Sequence, residues 1–272
     1  MKSTGMNFFK IKKTIVNMIP GQLPFLYYLN PKDLISVFLF LLKPHPAVSL
    51  SRRFFIVRQL YTISYNVDCR HAENEMVSFI KAILSIPEST PGCIIEAGCY
   101  KGGSTAKFSN AAKIMNRRLV IFDSFEGLPE HDKALDGDTS DSHSHALGSF
   151  SASLDEVRSN VDKYGRLEVC EFVKGWFNET MPYFSEPVAA VFLDVDLASS
   201  TRTCIIHLFP LVSAGGILFS NDGYSQSVCK VFNDDKFWQK EVGYSKPPIQ
   251  GLGRQKLLKI IKQPGDTRFD ID

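Results

Sequence analysis

The sequence lacks paired cysteines: its six cysteines are scattered along 272 residues, and no two of them form a CxxC motif. Small secreted domains reinforce a limited core with closely spaced disulfides, and a chain without that pattern is not of this class. The cysteine distribution therefore predicts a reducing, cytoplasmic setting.

Long apolar runs are also absent. The longest run near the beginning covers residues 34–42, whereas a helix needs about 18 apolar residues to cross a bilayer. Lys10, Lys12 and Lys13 are followed by a stretch that Asn17 and Pro20 interrupt, without the small-residue cleavage pattern of a signal peptide. We expect neither a membrane span nor a signal peptide.

Acidic residues are scarce in the first quarter of the chain. Residues 1–70 contain ten Lys or Arg against Asp33 and Asp68, a net charge of +8, while the whole chain carries only +2. This asymmetry indicates that the N-terminal part meets something acidic: a membrane surface, a partner, an anionic substrate or the acidic remainder of the same fold. The apolar content of this part could also pair subunits in a homo-oligomer, and no pattern indicates a nucleic-acid partner.

The chain divides into two regions by the spacing of its apolar residues. Residues 1–90 show helical spacing interrupted by prolines, which predicts an N-terminal helical cap and lid. Residues 91–272 alternate short apolar runs with helical stretches, as βαβ units do. We therefore predict an α/β protein with a Rossmann-like, doubly wound, mostly parallel sheet. The predicted strands cover residues 93–97, 119–123, 168–173, 188–195, 217–220 and 256–261, and the predicted helices cover 104–115, 153–164, 200–212 and 225–237.

A long polar segment, residues 126–151, follows the second predicted strand. It exceeds the usual length of a loop between elements, which predicts either a mobile lid over a site or a disordered excursion.

The nine residues from Glu96 to Ser104 read EAGCYKGGS, where a strand ends and a helix begins. Glycines let such a turn approach a ligand, and the helix N-terminus offers free N–H groups. The spacing differs from GxGxxG, which disfavours a nicotinamide-dependent oxidoreductase. It suits S-adenosylmethionine (SAM), whose amino-acid end needs hydrogen-bonding groups rather than a cradle for a diphosphate.

Asp123 ends the second predicted strand, some 25 residues after Gly98. A carboxylate at this place can accept hydrogen bonds from both hydroxyls of a ribose. Together with the glycine-rich turn, Asp123 predicts a nucleoside-containing cofactor.

Four oxygen-bearing side chains follow the fourth and fifth predicted strands. The carboxyl ends of neighbouring parallel strands meet at one crevice, so these groups should lie close together and could hold Mg²⁺, which would lower the pKa of an acceptor hydroxyl. If the fourth strand continues to residue 195, Asp194 and Asp196 share one face. The predicted metal ligands are Asp194, Asp196, Asn221 and Asp222.

Three motifs resemble the macrocin O-methyltransferase family, which includes methyltransferases acting on sugars of macrolide and aminocoumarin antibiotics. They read DSFEGLP at residues 123–129, VKGWFNETMP at 173–182 and LDVDLASST at 193–201, and the resemblance runs from about His71 to the C-terminal strand. It implies a SAM-binding domain, a divalent metal, usually magnesium, and methylation of a hydroxyl on a small molecule or sugar moiety.

The resemblance also implies roles for individual residues. The methionine end of SAM falls at the strand-to-helix turn, the ribose at Asp123, and the adenine near residues 175–176, with Asp196 as a metal ligand and the catalytic base. The implied cofactor-binding residues are Glu96, Gly98, Gly102, Gly103, Ser104, Asp123, Ser124, Phe125, Gly175 and Trp176.

The chain departs from the family pattern at two positions. Relatives commonly have Asp where Asn221 stands and Tyr where Ala198 stands, and an Asn contributes no charge to a metal. No Lys or His follows Asp196 within four residues, which leaves Asp196 or a metal-bound hydroxide as the base. These departures keep open a non-catalytic SAM-binding or scaffold domain that docks on a membrane or an anionic glycan.

Overall fold

The computed structural model describes residues 31–43, 48–136, 146–266 and 268–269. Six strands form one sheet in the order β3-β2-β1-β4-β5-β6, in which β1 to β5 run parallel and β6 runs antiparallel to β5. This arrangement confirms the predicted Rossmann-like α/β fold. The strands are β1 (Cys93–Ala97), β2 (Leu119–Asp123), β3 (Cys170–Lys174), β4 (Val188–Leu193), β5 (Val212–Ser220) and β6 (Leu258–Ile261).

Helices cover both faces of the sheet. They are α1 (Pro31–Leu42), α2 (Leu50–Asn66), α3 (Glu73–Leu84), α4 (Gly103–Ile114), α5 (Lys133–Asp136), α6 (Leu154–Tyr164), α7 (Phe177–Thr180), α8 (Ala198–Leu208), α9 (Gln226–Asn233) and α10 (Asp235–Phe237). Ser153 caps α6, since its hydroxyl accepts a hydrogen bond from the N–H of Glu156. Among the described residues, no helix has the length and apolar character that a membrane span requires.

The predicted strand at residues 188–195 was too long. β4 ends at Leu193, and the N–H of Leu197 donates to the carbonyl of Val195 across Asp196, whose φ is 60°. This is a γ-turn, so the strand does not continue far enough for Asp194 and Asp196 to share a strand face. The predicted helix at 225–237 is likewise interrupted at Asp234, whose carboxylate accepts hydrogen bonds from the first N–H groups of α10.

The strands of the sheet are buried because they lie between two layers of helices. Every residue of β1 and β4 is buried, as expected for near-continuous apolar runs in a parallel sheet. One face packs against α1, α2, α3, α4 and α6, and the other packs against α8, α9 and Trp238. On the first face, the ring of Phe79 in α3 contacts Phe108, Phe192 and Phe219. The helices of the predicted cap therefore share one apolar core with the sheet, and the predicted boundary at residue 90 falls between α3 and β1.

A buried polar contact also joins the N-terminal helices to the sheet domain. The Nζ of Lys107 in α4 lies 3.1 Å from both carboxylate oxygens of Glu73 in α3 and 2.6 Å from the hydroxyl of Ser64 in α2. Both charged side chains are almost fully buried. Burial alone would lower the pKa of Lys107, but the Glu73 carboxylate raises it above the ordinary value, so Lys107 stays charged.

Candidate functional site

A cavity of about 740 Å³ lies at the carboxyl ends of β1, β2, β4 and β5. The strand order reverses between β1 and β4, and ligands of open α/β sheets bind at such a switch point. Its walls also include residues 68–71, which follow α2. Both described ends of the polar segment contribute as well, through residues 127–130 and through residues 147, 149 and 150. Residues 137–145 of that segment lie outside the described residues.

The glycine-rich turn after β1 makes one wall of this cavity. Gly98 has a φ of 83°, and a Cβ there would lie 2.0 Å from the carbonyl oxygen of Asp194, so only glycine fits between the ends of β1 and β4. A Cβ on Gly103 would meet the Sγ of Cys69 at 2.1 Å, which shows how closely the chain after α2 approaches the start of α4. The sequence correctly predicted a turn that needs close backbone approach.

Asp123 holds two loops of the cavity together. Its Oδ2 accepts a hydrogen bond from the N–H of Cys99 at 2.7 Å, and its Oδ1 accepts one from the N–H of Phe125 at 2.7 Å. A carboxylate has about four lone-pair directions, so these two bonds leave acceptor capacity for a ligand. The side chain lines the cavity, where it can receive hydroxyl groups.

Glu96 is fully buried behind the glycine-rich turn rather than in the cavity wall. Its Oε2 accepts a hydrogen bond from the hydroxyl of Thr105 at 2.6 Å, which fixes the first turn of α4. Burial raises the pKa of the Glu96 carboxyl to about 8. In the folded chain Glu96 supports the turn, and its predicted contact with a cofactor stays a prediction.

Most of the predicted cofactor residues line this same cavity. Three of them lie behind its wall: Glu96, Gly102, which abuts Val157 of α6, and Phe125, whose ring packs near Phe172 in the core. Those that line it are Gly98, Gly103, Ser104, Asp123, Ser124, Gly175 and Trp176.

Asp194 is engaged at both carboxylate oxygens. Its Oδ2 lies 2.6 Å from Nε2 of His71, and its Oδ1 accepts a hydrogen bond from the side-chain amide of Asn221 at 3.0 Å. Burial alone would raise the pKa of the Asp194 carboxyl, but the charge and hydrogen bond of His71, helped by Asn221, bring it below the ordinary value. The carboxylate is thus held ionised by a side chain from the N-terminal region.

The sequence analysis did not predict a role for His71, because no local pattern near Asp196 indicates a partner so far away along the chain. The ring lies in the loop before α3 and meets β4 only through the fold, 123 residues away along the chain. One signal was available, since the family resemblance begins at this residue.

Asp196 projects into the cavity from the γ-turn. Its Oδ1 accepts a hydrogen bond from the hydroxyl of Tyr224 at 3.0 Å, and both side chains line the cavity. Partial burial and the Asp196 charge raise the pKa of Tyr224 above the ordinary value, so the phenol stays protonated and donates. The sequence did not single out Tyr224.

Asp222 has a structural position below the cavity. Its Oδ2 accepts hydrogen bonds from the N–H groups of Val195 at 3.0 Å and Asp196 at 3.2 Å, which holds the γ-turn. Burial raises the pKa of the Asp222 carboxyl well above its ordinary value, and the charges of Asp194 and Asp196 add to this. The side chain is fully buried and does not line the cavity.

The predicted magnesium ligands come together, but their arrangement does not fit a magnesium site. Asp194 is committed to His71 and to the Asn221 amide, and Asp222 to backbone N–H groups, although Oδ1 of Asn221 and Oδ1 of Asp222 are buried without a hydrogen-bond partner. Magnesium prefers carboxylate oxygens that are free to bind it, and here an uncharged amide and an already paired carboxylate stand in their place. No group of three or more His, Cys, Asp or Glu with metal-binding geometry occurs in the described part of the chain.

Comparison with characterised proteins finds natural-product methyltransferases. An 8-demethyl-8-(2,3-dimethoxy-alpha-L-rhamnosyl)-tetracenomycin-C 4'-O-methyltransferase of Streptomyces olivaceus is 32% identical over 178 residues, which is 62% of this chain and 66% of its own length. A demethyldecarbamoylnovobiocin O-methyltransferase of Streptomyces niveus is 30% identical over 151 residues, 53% of this chain and 58% of its own length. The chain thus spans about three fifths to two thirds of the length of these relatives.

Solved structures and a family model agree with this finding. The O-methyltransferase NovP superposes with a TM-score of 0.59 at 20% identity, covering 73% of this chain and 84% of that one, which shows a common fold. A family model described as Macrocin-O-methyltransferase (TylF) matches residues 71–247, more than half of the chain. The chain therefore belongs to the macrocin O-methyltransferase family.

Proposed function

We propose that this protein is a SAM-dependent O-methyltransferase that methylates a hydroxyl of a small molecule or sugar moiety. One observation carries the proposal: a single cavity contains both the turn and carboxylate suited to a nucleoside cofactor and a second pair of carboxylates suited to an acceptor hydroxyl. The family and the names of its relatives, which methylate sugar-bearing natural products, support this substrate class.

The cofactor side of the cavity fits SAM. Asp123 has acceptor capacity for the ribose hydroxyls, the turn at Gly98 lets the backbone approach the ligand, and Gly175 and Trp176 line the wall where the adenine would lie. When bound, SAM supplies a methyl group on a positively charged sulfur. The residues beside Gly98 position that group, and Asp196 faces the same cavity.

On the acceptor side, Asp196 is the residue that we assign as general base. Its carboxylate takes the proton of the acceptor hydroxyl as the oxygen attacks, which makes the oxygen a better nucleophile. The Tyr224 hydroxyl fixes the carboxylate, and Asp222 fixes the turn from which it projects. Aromatic residues around the cavity, among them Tyr100, Phe150 and Trp176, restrict the access of water.

Asp194 and His71 have a positioning role in this mechanism. The pair lies beside the carboxylate of Asp196. No step of the proposed reaction passes through a metal, because Asp194 is engaged by His71 and Asn221, and Asp222 accepts hydrogen bonds from two backbone N–H groups. The six cysteines, all free, support the proposal that the protein works in a reducing, cytoplasmic setting.

Calorimetry and a transfer assay test the proposal. S-adenosylhomocysteine should bind the wild-type protein, and Asp123→Ala should weaken that binding by at least about tenfold, because it removes the acceptor for the ribose hydroxyls. Ser213→Ala, on the amino-terminal part of β5 and away from the cavity, is the matched control. Labelled methyl transfer from SAM to glycosylated natural products should then appear in the wild type. No binding of S-adenosylhomocysteine to wild type would refute the function; binding without transfer to any hydroxyl compound would favour the non-catalytic alternative.

A further inference from the structure

The N-terminal helix α1 exposes an apolar face. Five large apolar side chains on one side of this helix are 40–61% exposed: Leu34, Ile35, Phe38, Leu39 and Leu42. Their spacing places them within one arc of the helix surface. The start of α2 adds the exposed side chains of Leu50 and Phe54. Exposed apolar patches of this kind mark sites of interaction, whereas single exposed apolar residues need no explanation.

The opposite side of α1 is anchored, so the exposed face is not a loose end. Val37 and Phe40 are buried in the core shared with the sheet. The Arg53 guanidinium of α2 donates to the carbonyls of Phe40 and Leu41 at the C-terminal end of α1. The backbone N–H of Asn74, at the start of α3, donates to the Asp33 carboxylate at 2.9 Å. These contacts fix which side of α1 faces outward.

Exposed positive charge lies at both ends of α1 and on α2. Lys32 and Lys43 lie at the two ends of α1, and Arg52 and Arg58 lie on α2, all of them exposed. The neighbouring acidic residue, Asp33, is buried, and the sequence has no Asp or Glu from residue 34 to residue 67. We call the exposed apolar residues of α1, together with Leu50, Phe54 and these four cations, the basic apolar face.

We propose that the basic apolar face docks on an anionic lipid bilayer. Helix α1 is about 18 Å long at 1.5 Å per residue, too short to cross the apolar part of a bilayer, so it lies in the interface with its apolar side inserted and its cations among the headgroups. A second copy of the chain fits less well, because a twofold contact through this face would bring like charges together. The face also lies outside residues 71–247, the part that matches the family.

Vesicle sedimentation of the full chain tests the proposal, and it does not depend on catalytic activity. The wild-type protein should sediment with phosphatidylcholine vesicles that contain phosphatidylserine, less with pure phosphatidylcholine vesicles, and less at high salt. The double substitution Phe38→Ser with Leu39→Ser should weaken binding at least about tenfold, and Lys43→Glu with Arg52→Glu should weaken it for anionic vesicles only. Both doubles change exposed side chains, and circular dichroism verifies their folding.

The matched control is Tyr183→Ser, which removes an aromatic ring that is 88% exposed elsewhere on the molecule and should leave binding unchanged. The proposal is overturned if wild-type protein does not sediment with anionic vesicles, or if the Phe38 and Leu39 double binds as the wild type does. The Phe38 and Leu39 double variant keeps residues 1–30 unchanged. If it binds vesicles as the wild type does, the binding belongs to residues 1–30 and not to the basic apolar face. If the wild type forms a dimer without lipid and only the Phe38 and Leu39 double variant is monomeric, the face binds a second copy of the chain. That result would also contradict the proposal.

Discussion

The sheet and the N-terminal helices share one apolar core, but they depend on different kinds of contact. The strands are held by continuous apolar burial and ladder hydrogen bonds, as in β1 and β4. The helices α1 to α3 use apolar packing together with buried polar contacts, such as those of Lys107 with Glu73 and of Arg53 with the end of α1. The helical region therefore depends on specific buried pairs, and a single substitution in one of them can destabilise it.

The two regions also divide the site between them. The sheet domain supplies the predicted carboxylates at residues 123, 194 and 196, while the segment after α2 supplies His71 and lines the cavity with its neighbours. If this division is correct, substitutions of the sheet-domain carboxylates should abolish methyl transfer. Substitutions in the helical region should mainly lower the stability of the protein and weaken the positioning of Asp194.

The largest effect should come from Asp196→Asn, which keeps the shape of the side chain and removes its charge. We expect methyl transfer to fall by about 10²–10⁴-fold, the usual contribution of a general base, with S-adenosylhomocysteine binding unchanged within about twofold. Labelled transfer and calorimetry measure the two quantities. Methyl transfer at the wild-type rate in this variant would show that another group in the cavity is the general base.

A comparable loss, in stability rather than in rate, should follow from Lys107→Met. The change leaves the Glu73 carboxylate buried without its partner, which typically costs about 3–5 kcal/mol of unfolding free energy. Urea denaturation followed by circular dichroism measures this loss.

The double variant Lys107→Met with Glu73→Leu is the matched control. It removes both buried charges, so it should recover a large part of the stability lost in the single variant. If the single variant were as stable as the wild type, the buried pair would not hold the helices to the sheet.

A smaller effect is expected from His71→Ala, which tests the contribution of the helical region to the site. The Asp194 carboxylate would keep only the Asn221 amide, and we expect kcat/KM for the acceptor to fall about 10–100-fold. His71→Asn, which can still donate a hydrogen bond, should lose less. An equal loss in both variants with lowered thermal stability would indicate a purely structural role.

The effect of Glu96→Gln should depend on pH. Since the folded pKa of about 8 lies above the ordinary 4.5, the stability that protonated Glu96 contributes is present below pH 4.5 and is lost as pH rises through 8. Gln keeps the hydrogen bond with Thr105 and cannot ionise, so this variant should be more stable than the wild type at pH 8 and similar to it in acid. Thermal unfolding across this range measures the difference, and parallel curves for the two proteins would contradict it.

Removal of divalent metal is expected to have no effect on methyl transfer. Because both carboxylate oxygens of Asp194 and one of Asp222 accept hydrogen bonds within the protein, EDTA should leave transfer unchanged and magnesium titration should release no binding heat. A loss of transfer with EDTA that magnesium restores would show that these side chains rearrange to bind the ion.

Much of the α/β region could be predicted from the sequence. The apolar runs at β1, β2 and β4 predict strands, because both faces of a parallel sheet are covered by helices. The glycines at residues 98 and 103 predict a close approach of the backbone. The convergence of Asp194, Asp196, Asn221 and Asp222 follows from parallel strands, whose carboxyl ends meet.

The fold class, the family and the set of carboxylates at one end of the sheet could be predicted from the residues alone, because they depend on local pattern and on strand direction. The role of each carboxylate depends on the folded chain: the γ-turn directs Asp196 into the cavity, backbone amides hold Asp222 beneath it, and His71 pairs with Asp194. These outcomes depend on contacts between residues that are far apart in the chain, and apolar periodicity carries no information about such contacts.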